Sequence, residues 1–318
     1  MLRAARRLLK DALLGPAGGL QKCYLGLHNP QTEVTAWLVG KEDRLNVTGC
    51  HFMACGAPLL IGVGFEQSQQ FSDIHPQCLR LRFCRRTGEP RLLGEIRLEF
   101  DSSLPFGDSV LGLFRIARSS NRSLPRLQVL AHSMLHERAR RQSKDFDVPI
   151  TASDARAMAV FYLCPRPIAV VTVGDRQGGN LFPMNLMGPL GGDFFAFALN
   201  SSRAVAPLVD QVRRIALSAV PLEQASTIAS LGKNHRRSSI DWDQLPFPII
   251  RPNRIDAPVP SFALNVCEMQ VETVHRLGSH TLFIARVTAR EHLAEGLQLF
   301  VAHGMYEASQ RRYAPDNS

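Results

Sequence analysis

The constraint that bears most on the fold of this 318-residue chain is an internal repeat of short β-rich runs. Segments 34–39, 59–65, 79–84, 94–100 and 109–116 have the apolar patterning of strands. Segments 168–173, 194–199, 216–220, 267–274 and 281–287 follow in the same order. A shift of 134 positions superposes Val39-Gly40 on Val173-Gly174, Asn46 on Asn180, Met53 on Met187 and Ser68 on Ser202. A shift of 171 superposes Gly107 on Gly278, Leu111 on Leu282 and Arg115 on Arg286. The larger second shift places an insertion in the second copy. The pattern predicts one β-barrel unit used twice in tandem, the alternative being the general likeness of twisted hairpins.

Between the copies, residues 124–140 carry apolar side chains at helical spacing and predict a bridging helix. His132 and His136 on it are four apart, the spacing of two ligands on one helix face. They lack the glutamate of an H-E-x-x-H motif and are expected as solvated surface histidines. Ser153 is expected to cap a helix running through Leu163. The first fourteen residues read as a short basic amphipathic helix ended by Gly15-Pro16. The expected division is a helical extension (1–28), a degenerate first copy (29–120), a helical linker (121–150) and a second copy (151–318).

Composition narrows the partners. The net charge is +9 and lysine occurs only at Lys10, Lys22, Lys41, Lys144 and Lys233, so the basic character is mostly arginine and favours anionic ligands. The arginines are scattered and lack interleaved aromatics, which argues against nucleic acid. Seven cysteines without a C-x-x-C pair argue against zinc and against a disulfide framework, and no metal site is expected. A cytoplasmic location fits best, and no run is long and apolar enough for a membrane span.

Chemistry concentrates between Arg166 and Arg203. A strand to Gly174 leads into the Gly-rich hairpin Asp175-Arg-Gln-Gly-Gly-Asn180, then a loop Leu181-Phe182-Pro183-Met184-Asn185, then a strand from Phe194 that ends in Asn200-Ser201-Ser202-Arg203. Asn180 can fix the hairpin turn, the loop can offer main-chain amides, and Phe182 and Met184 can offer apolar contact. Ser201 or Ser202 is expected to cap a helix over 203–215, and a helix N-terminus with hydroxyls and a guanidinium suits a phosphate. Together these describe a cradle for a planar phosphorylated ligand, read as a flavin; simple capping beside a solvated arginine is the alternative. The basic stretch with Lys233, Asn234 and His235 can add donors. His280, beside Gly278, is the candidate catalytic contact to substrate or nicotinamide. Gly62-Val63-Gly64 lacks the third glycine of a dinucleotide fingerprint.

These residues resemble the flavin-reductase-like family built on the FMN-binding split barrel. The likeness rests on Pro165-Arg166-Pro167, the stretch from Asn180 to Asn185, Ser201-Ser202-Arg203, the hairpin from Gly278 to Val287 and the ending His303-Gly304-Met305-Tyr306. It departs at Asn185, where the family usually has serine, and at Val205, where it usually has threonine. The resemblance implies a mainly β (α+β) fold with two split-barrel units as an intramolecular pseudo-dimer. It implies a flavin-binding oxidoreductase with FMN, or FAD, as cofactor and NAD(P)H as co-substrate. The flavin would act on a small-molecule substrate or serve a partner monooxygenase. The flavin site is expected mainly in the second copy, completed by the first, where residues 66–69 replace the serines and arginine and His75-Pro76 interrupts the helix. Further homodimerisation stays open, as do a non-catalytic flavin carrier and a haem-binding split barrel.

Overall fold

The computed structural model describes residues 22–41, 43–66, 79–86, 90–142, 150–174 and 178–312. The basic helix expected at the N-terminus, the first copy's residues 67–69 and 75–76, and hairpin residues 175–177 lie outside the described residues.

Strand β1 (Lys22–Leu27) precedes a seven-stranded antiparallel sheet of β2 (Val34–Val39), β3 (Arg44–Asn46), β4 (His51–Gly56), β5 (Leu59–Phe65), β6 (Leu79–Arg85), β7 (Arg91–Phe106) and β8 (Ser109–Asn121). Helices α1 (Arg126–Gln142) and α2 (Ala152–Phe161) and the short β9 (Arg166–Pro167) follow. The second half holds β10 (Ala169–Gly174), β11 (Gly179–Met184), β12 (Met187–Gly191), β13 (Phe194–Asn200), α3 (Val205–Val212) and β14 (Arg214–Ala219). It continues with α4 (Ala225–Ser230), β15 (Ile249–Ile250), β16 (Val259–Pro260), β17 (Asn265–Leu277), β18 (His280–His292), β19 (Gln298–His303) and α5 (Gly304–Arg312).

The first sheet is ordered β3-β2-β6-β7-β8-β5-β4 and the second β11-β10-β14-β17-β18-β13-β12. Replacing each strand by its counterpart at the expected shift converts one order into the other. The long hairpins agree in detail. Register shifts fall at Arg97/Leu98 and Phe100/Ser102 between β7 and β8, and at Glu268/Met269 and Val271/Thr273 between β17 and β18. Both hairpins turn on a glycine with positive φ, Gly107 at 52° and Gly278 at 51°, a conformation that a Cβ disfavours. Neither ladder closes on itself, because β3 and β4, like β11 and β12, are edge strands. The expected barrels are therefore open sheets in their hydrogen bonding. The insertion occupies the connection from β14 to β17, where the first sheet has only a short link from β6 to β7.

Several local expectations change. Helix α2 is capped by Thr151, not Ser153: Thr151 accepts from the amide of Asp154, whose side chain accepts from the Thr151 amide in return. Residues 22–27, expected within a helical extension, form a strand that pairs with β19 from Lys22↔His303 to Leu27↔Gln298. His132 is fully buried, not solvated.

The halves exchange elements. Ala157, Val160 and Phe161 of α2 and Met305, Tyr306 and Ala308 of α5 pack into the core of the first sheet with Leu81, Phe83, Ile96 and Leu98. Strand β1, from the first half, extends β19 of the second. A separate apolar seam joins the sheets, with Phe52, Leu60, Leu111 and Leu113 against Leu190, Ala196, Leu282 and Ile284. At Gly64 an added Cβ would lie 2.7 Å from the Leu190 carbonyl oxygen, so the two backbones touch there.

One cation pins the seam. Arg166 is 5% exposed, and its Nη2 donates to the carbonyls of His51 (2.6 Å) and Met187 (3.1 Å), the first residues of β4 and β12. Its guanidinium carbon lies 5.5 Å from the centroid of the Phe161 ring. Replacing it by alanine would strand both carbonyls in a dry interface. Arg166→Ala is expected to destabilise the protein by about 3 kcal/mol or more, read from urea unfolding. Residues 29–120 expressed alone are expected to show no cooperative unfolding transition, because part of their core lies on α2 and α5.

Candidate functional site

The segment expected as a polar loop is a strand. Residues 179–184 form β11, paired with β10 from Gly174↔Gly179 to Ala169↔Met184. Alternation along it turns Leu181 and Phe182 into two different cores, and both are fully buried. Met184 is 5% exposed and packs with Phe182. The expected ring contact by Phe182 and Met184 is therefore corrected: both are core residues. Of the expected stretch, Pro183 and Asn185 stay partly exposed, and Asn185 Nδ2 donates to the Tyr162 hydroxyl at 3.1 Å.

The insertion lies against this strand. Asn180 Nδ2 donates to the carbonyls of Asn234 (3.0 Å) and Arg237 (2.5 Å), and Asn234 Nδ2 returns a bond to the Leu181 carbonyl at 2.8 Å. His235 Nε2 donates to the Pro183 carbonyl at 2.8 Å. Asn180, Asn234 and His235 thus fasten a short 3-10 turn, Leu231–Arg236, onto β11. Lys233, on the same turn, points its exposed length to solvent. Sequence spacing could not show this, because the bonds join residues more than fifty positions apart.

What the turn presents is charge. Arg236, with Ser201, Ser202, Arg203, Ala204 and Pro207, lines one pocket at the start of α3. Arg203 is held below the usual guanidinium range by partial burial and by the nearby charge of Arg236. His235 is also pushed down, by burial above all and with help from the charge of Arg203, against the raising effect of its bond to the Pro183 carbonyl. An anion placed there would relieve repulsion between two cations. Arg236 was not among the expected contacts, although it belongs to the basic stretch singled out beside them.

The serines do not cap the helix. Ser202 donates through both its amide and its hydroxyl to Asn200 Oδ1 (2.9 and 2.8 Å), and Ser201 shares a 2.9 Å hydrogen bond with the Thr281 hydroxyl. Helix α3 covers Val205–Val212, shorter than expected, because Arg213 turns left-handed at φ 58°. Its N-cap is Ala204 with no side-chain capping bond, while the Ala206 amide donates to the Arg203 carbonyl at 3.1 Å and Pro207 carries no amide proton. Val205 is fully buried.

His280 lies elsewhere, in the seam. Its Nδ1 accepts from the Gly56 amide (3.3 Å) and from Ser279 Oγ (2.8 Å), while Ser279 Oγ accepts from the Ala57 amide (3.0 Å). Burial lowers its pKa to about 4. The geometry makes it a stitch between the halves, and it does not line the cationic pocket. Among the described residues no cluster of histidine, cysteine, aspartate and glutamate could hold a metal, and no helix is long and apolar enough to cross a membrane.

With this geometry in hand, comparison with known proteins is informative. Residues 161–310 match the sequence profile described as "Flavin reductase like domain". The match takes in every strand of the second sheet. Among solved structures, an FMN-binding protein from Thermus thermophilus with bound p-hydroxybenzaldehyde is 26% identical, over 40% of this chain and 72% of its own, with a TM-score of 0.36. BorF, the flavin reductase component of a bacterial two-component tryptophan halogenase, is 20% identical, over 47% and 92%, with a TM-score of 0.40. The styrene monooxygenase flavin reductase of Pseudomonas putida S12 is 24% identical, over 46% and 93%, with a TM-score of 0.38. No curated protein matches the chain.

Two outcomes follow from this geometry. Asn180→Ala removes the two side-chain bonds that hold the turn on β11 and is expected to cost about 1–3 kcal/mol, with faster amide exchange across 231–240 as the local signature. Burial holds His51 and His303 at about 3 and His280 at about 4, against a usual value of 6.5. The unfolded chain therefore binds more protons below pH 6.5, so stability rises with pH through that range. Acidification from pH 7 to 5 is expected to cost on the order of 1–2 kcal/mol per histidine, read as a falling urea midpoint.

Proposed function

We propose that the chain binds a flavin mononucleotide with its phosphate in the pocket of Ser201, Ser202, Arg203 and Arg236, and works as a flavin-dependent oxidoreductase. The observation that carries this reading is the pair of mutually repelling guanidiniums beside an uncapped helix N-terminus, within a flavin reductase like domain. The two guanidiniums are the donors that fit a phosphate dianion. FAD fits the same pocket through its phosphates. Phe182 and Met184, as core side chains, do not fit a role against the ring, and Asn185 with the main chain of 181–185 is the contact kept from that stretch.

Bound flavin would accept hydride from NAD(P)H and pass electrons to a small molecule or a partner monooxygenase. The protein's part is binding and orientation. Arg203 and Arg236 neutralise the phosphate, His235 stays uncharged beside them, and Asn180 with Asn234 holds the turn that carries Arg236. No proton-transfer group is required of the chain, in keeping with the absence of paired carboxylates at the pocket. The matching strand orders and bulges are further taken as a tandem duplication, in which the first copy buttresses the second. A cytoplasmic location accords with the free thiols, of which Cys23, Cys50 and Cys164 are raised to about 11 by burial.

Native mass spectrometry should find one flavin per chain, and anaerobic NADH or NADPH should bleach its absorbance. Arg203→Ala and Arg236→Ala should each weaken FMN binding by about 10- to 100-fold. Unchanged affinity in both variants would remove the phosphate assignment. Flavin binding without bleaching would leave a carrier, and a Soret band would leave a haem protein.

A further inference from the structure

Away from the cationic pocket, a cavity of about 190 Å³ lies where α1, α2, β1 and β19 meet. Its walls are apolar, built by Ile150, Ala155, Met158, Ala159, Val301 and Met305. The volume suits a molecule of about ten heavy atoms, below the range of drug-sized sites. Two methionines, Met158 and Met305, and Tyr162 among the lining residues favour a flat, polarizable occupant.

The polar fringe fixes the occupant's charge. The Met305 amide donates to His303 Nδ1 at 3.2 Å, so that nitrogen holds a lone pair and the proton sits on Nε2. Nε2 then donates to His136 Nδ1 at 3.2 Å, which leaves the His136 proton on its own Nε2. Burial and the adjoining imidazoles of His136 and His132 keep His303 uncharged above about pH 3. A metal shared by these rings would need the Nε2 lone pair of His303, which the Met305 bond commits to a proton. The cluster is therefore a neutral relay. Tyr162 turns its hydroxyl to Asn185, which lies outside the cavity lining. Lys22 and Arg156 add two cations against one carboxylate, Glu137.

Apolar walls under a donor-weighted, net cationic fringe select one ligand chemistry. We propose that this cavity is a binding site for a small aromatic carboxylate. It shares no residue with the phosphate pocket, so it stands whether or not flavin binds there. Through Tyr162 and Asn185 it lies one hydrogen bond from the end of β11, so its occupant could be sensed at the candidate flavin site.

Benzoate titrated into the full-length protein by calorimetry should bind with a Kd on the order of 0.1–1 mM. Benzylamine, the same ring bearing a cation, should not. Ala155→Phe fills the cavity from a half-buried position and should abolish binding. Arg156→Glu reverses an exposed charge and should weaken binding about tenfold with the melting temperature kept. Arg203→Ala should leave benzoate affinity unchanged, which separates this site from the flavin reading. No heat of binding at about 10 mM benzoate overturns the proposal, as do equal binding of benzylamine or wild-type affinity in Arg156→Glu. If Ala155→Phe does not fold, Arg156→Glu decides alone.

Discussion

Arg166 sits where the two sheets meet, and what surrounds it is unusual for a buried charge. Its contacts among the described residues are two carbonyls, the His51 ring, the Phe161 face and neighbouring thiol and phenol groups. Burial lowers its pKa, yet arginine stays protonated in such surroundings. The cation therefore survives only if both carbonyls stay in place. This ties β4 to β12, and β12 follows directly on the strand that anchors the insertion. The same charge, with burial, holds His51 neutral, and His51 Nδ1 donates in turn to the Val47 carbonyl at 2.7 Å.

Much of this was legible because it depended on local pattern. Alternating apolar residues marked β2, β5, β6, β13 and β14 to within a few positions, and hairpin glycines marked the turns at Gly107 and Gly278. What escaped had its cause elsewhere in the chain. Strand β1 is a strand because β19 lies beside it, and nothing between Lys22 and Leu27 announces that partner. Asn180 looked like a turn residue; its bonds to Asn234 and Arg237 depend on an insertion returning to β11. His132 looked solvated because helical spacing alone does not reveal which face another element covers.

The candidate site divides the same way. That Ser201, Ser202 and Arg203 lie together at a strand-to-helix junction was readable from their order in the chain. The site's mechanism of assembly was not. The serines are committed to Asn200 and Thr281, and the second cation comes from the insertion. The position of Arg236 at the pocket thus rests on how firmly a 3-10 turn is held, and the holding side chains are two amides and an imidazole.

The exchange of elements between the halves has a temporal side. The core of the first sheet includes Phe161, Leu163, Met305, Tyr306 and Ala308. A ribosome that has released residues 29–120 has released every strand of that sheet, but not the helices that cover it. Part of the sheet's apolar face stays uncovered until Gly304–Arg312 has also left the exit tunnel. Completion of the first half thus waits on a helix that follows every strand of the second sheet, and the nascent chain carries that exposed surface while those strands are made, when aggregation competes with folding.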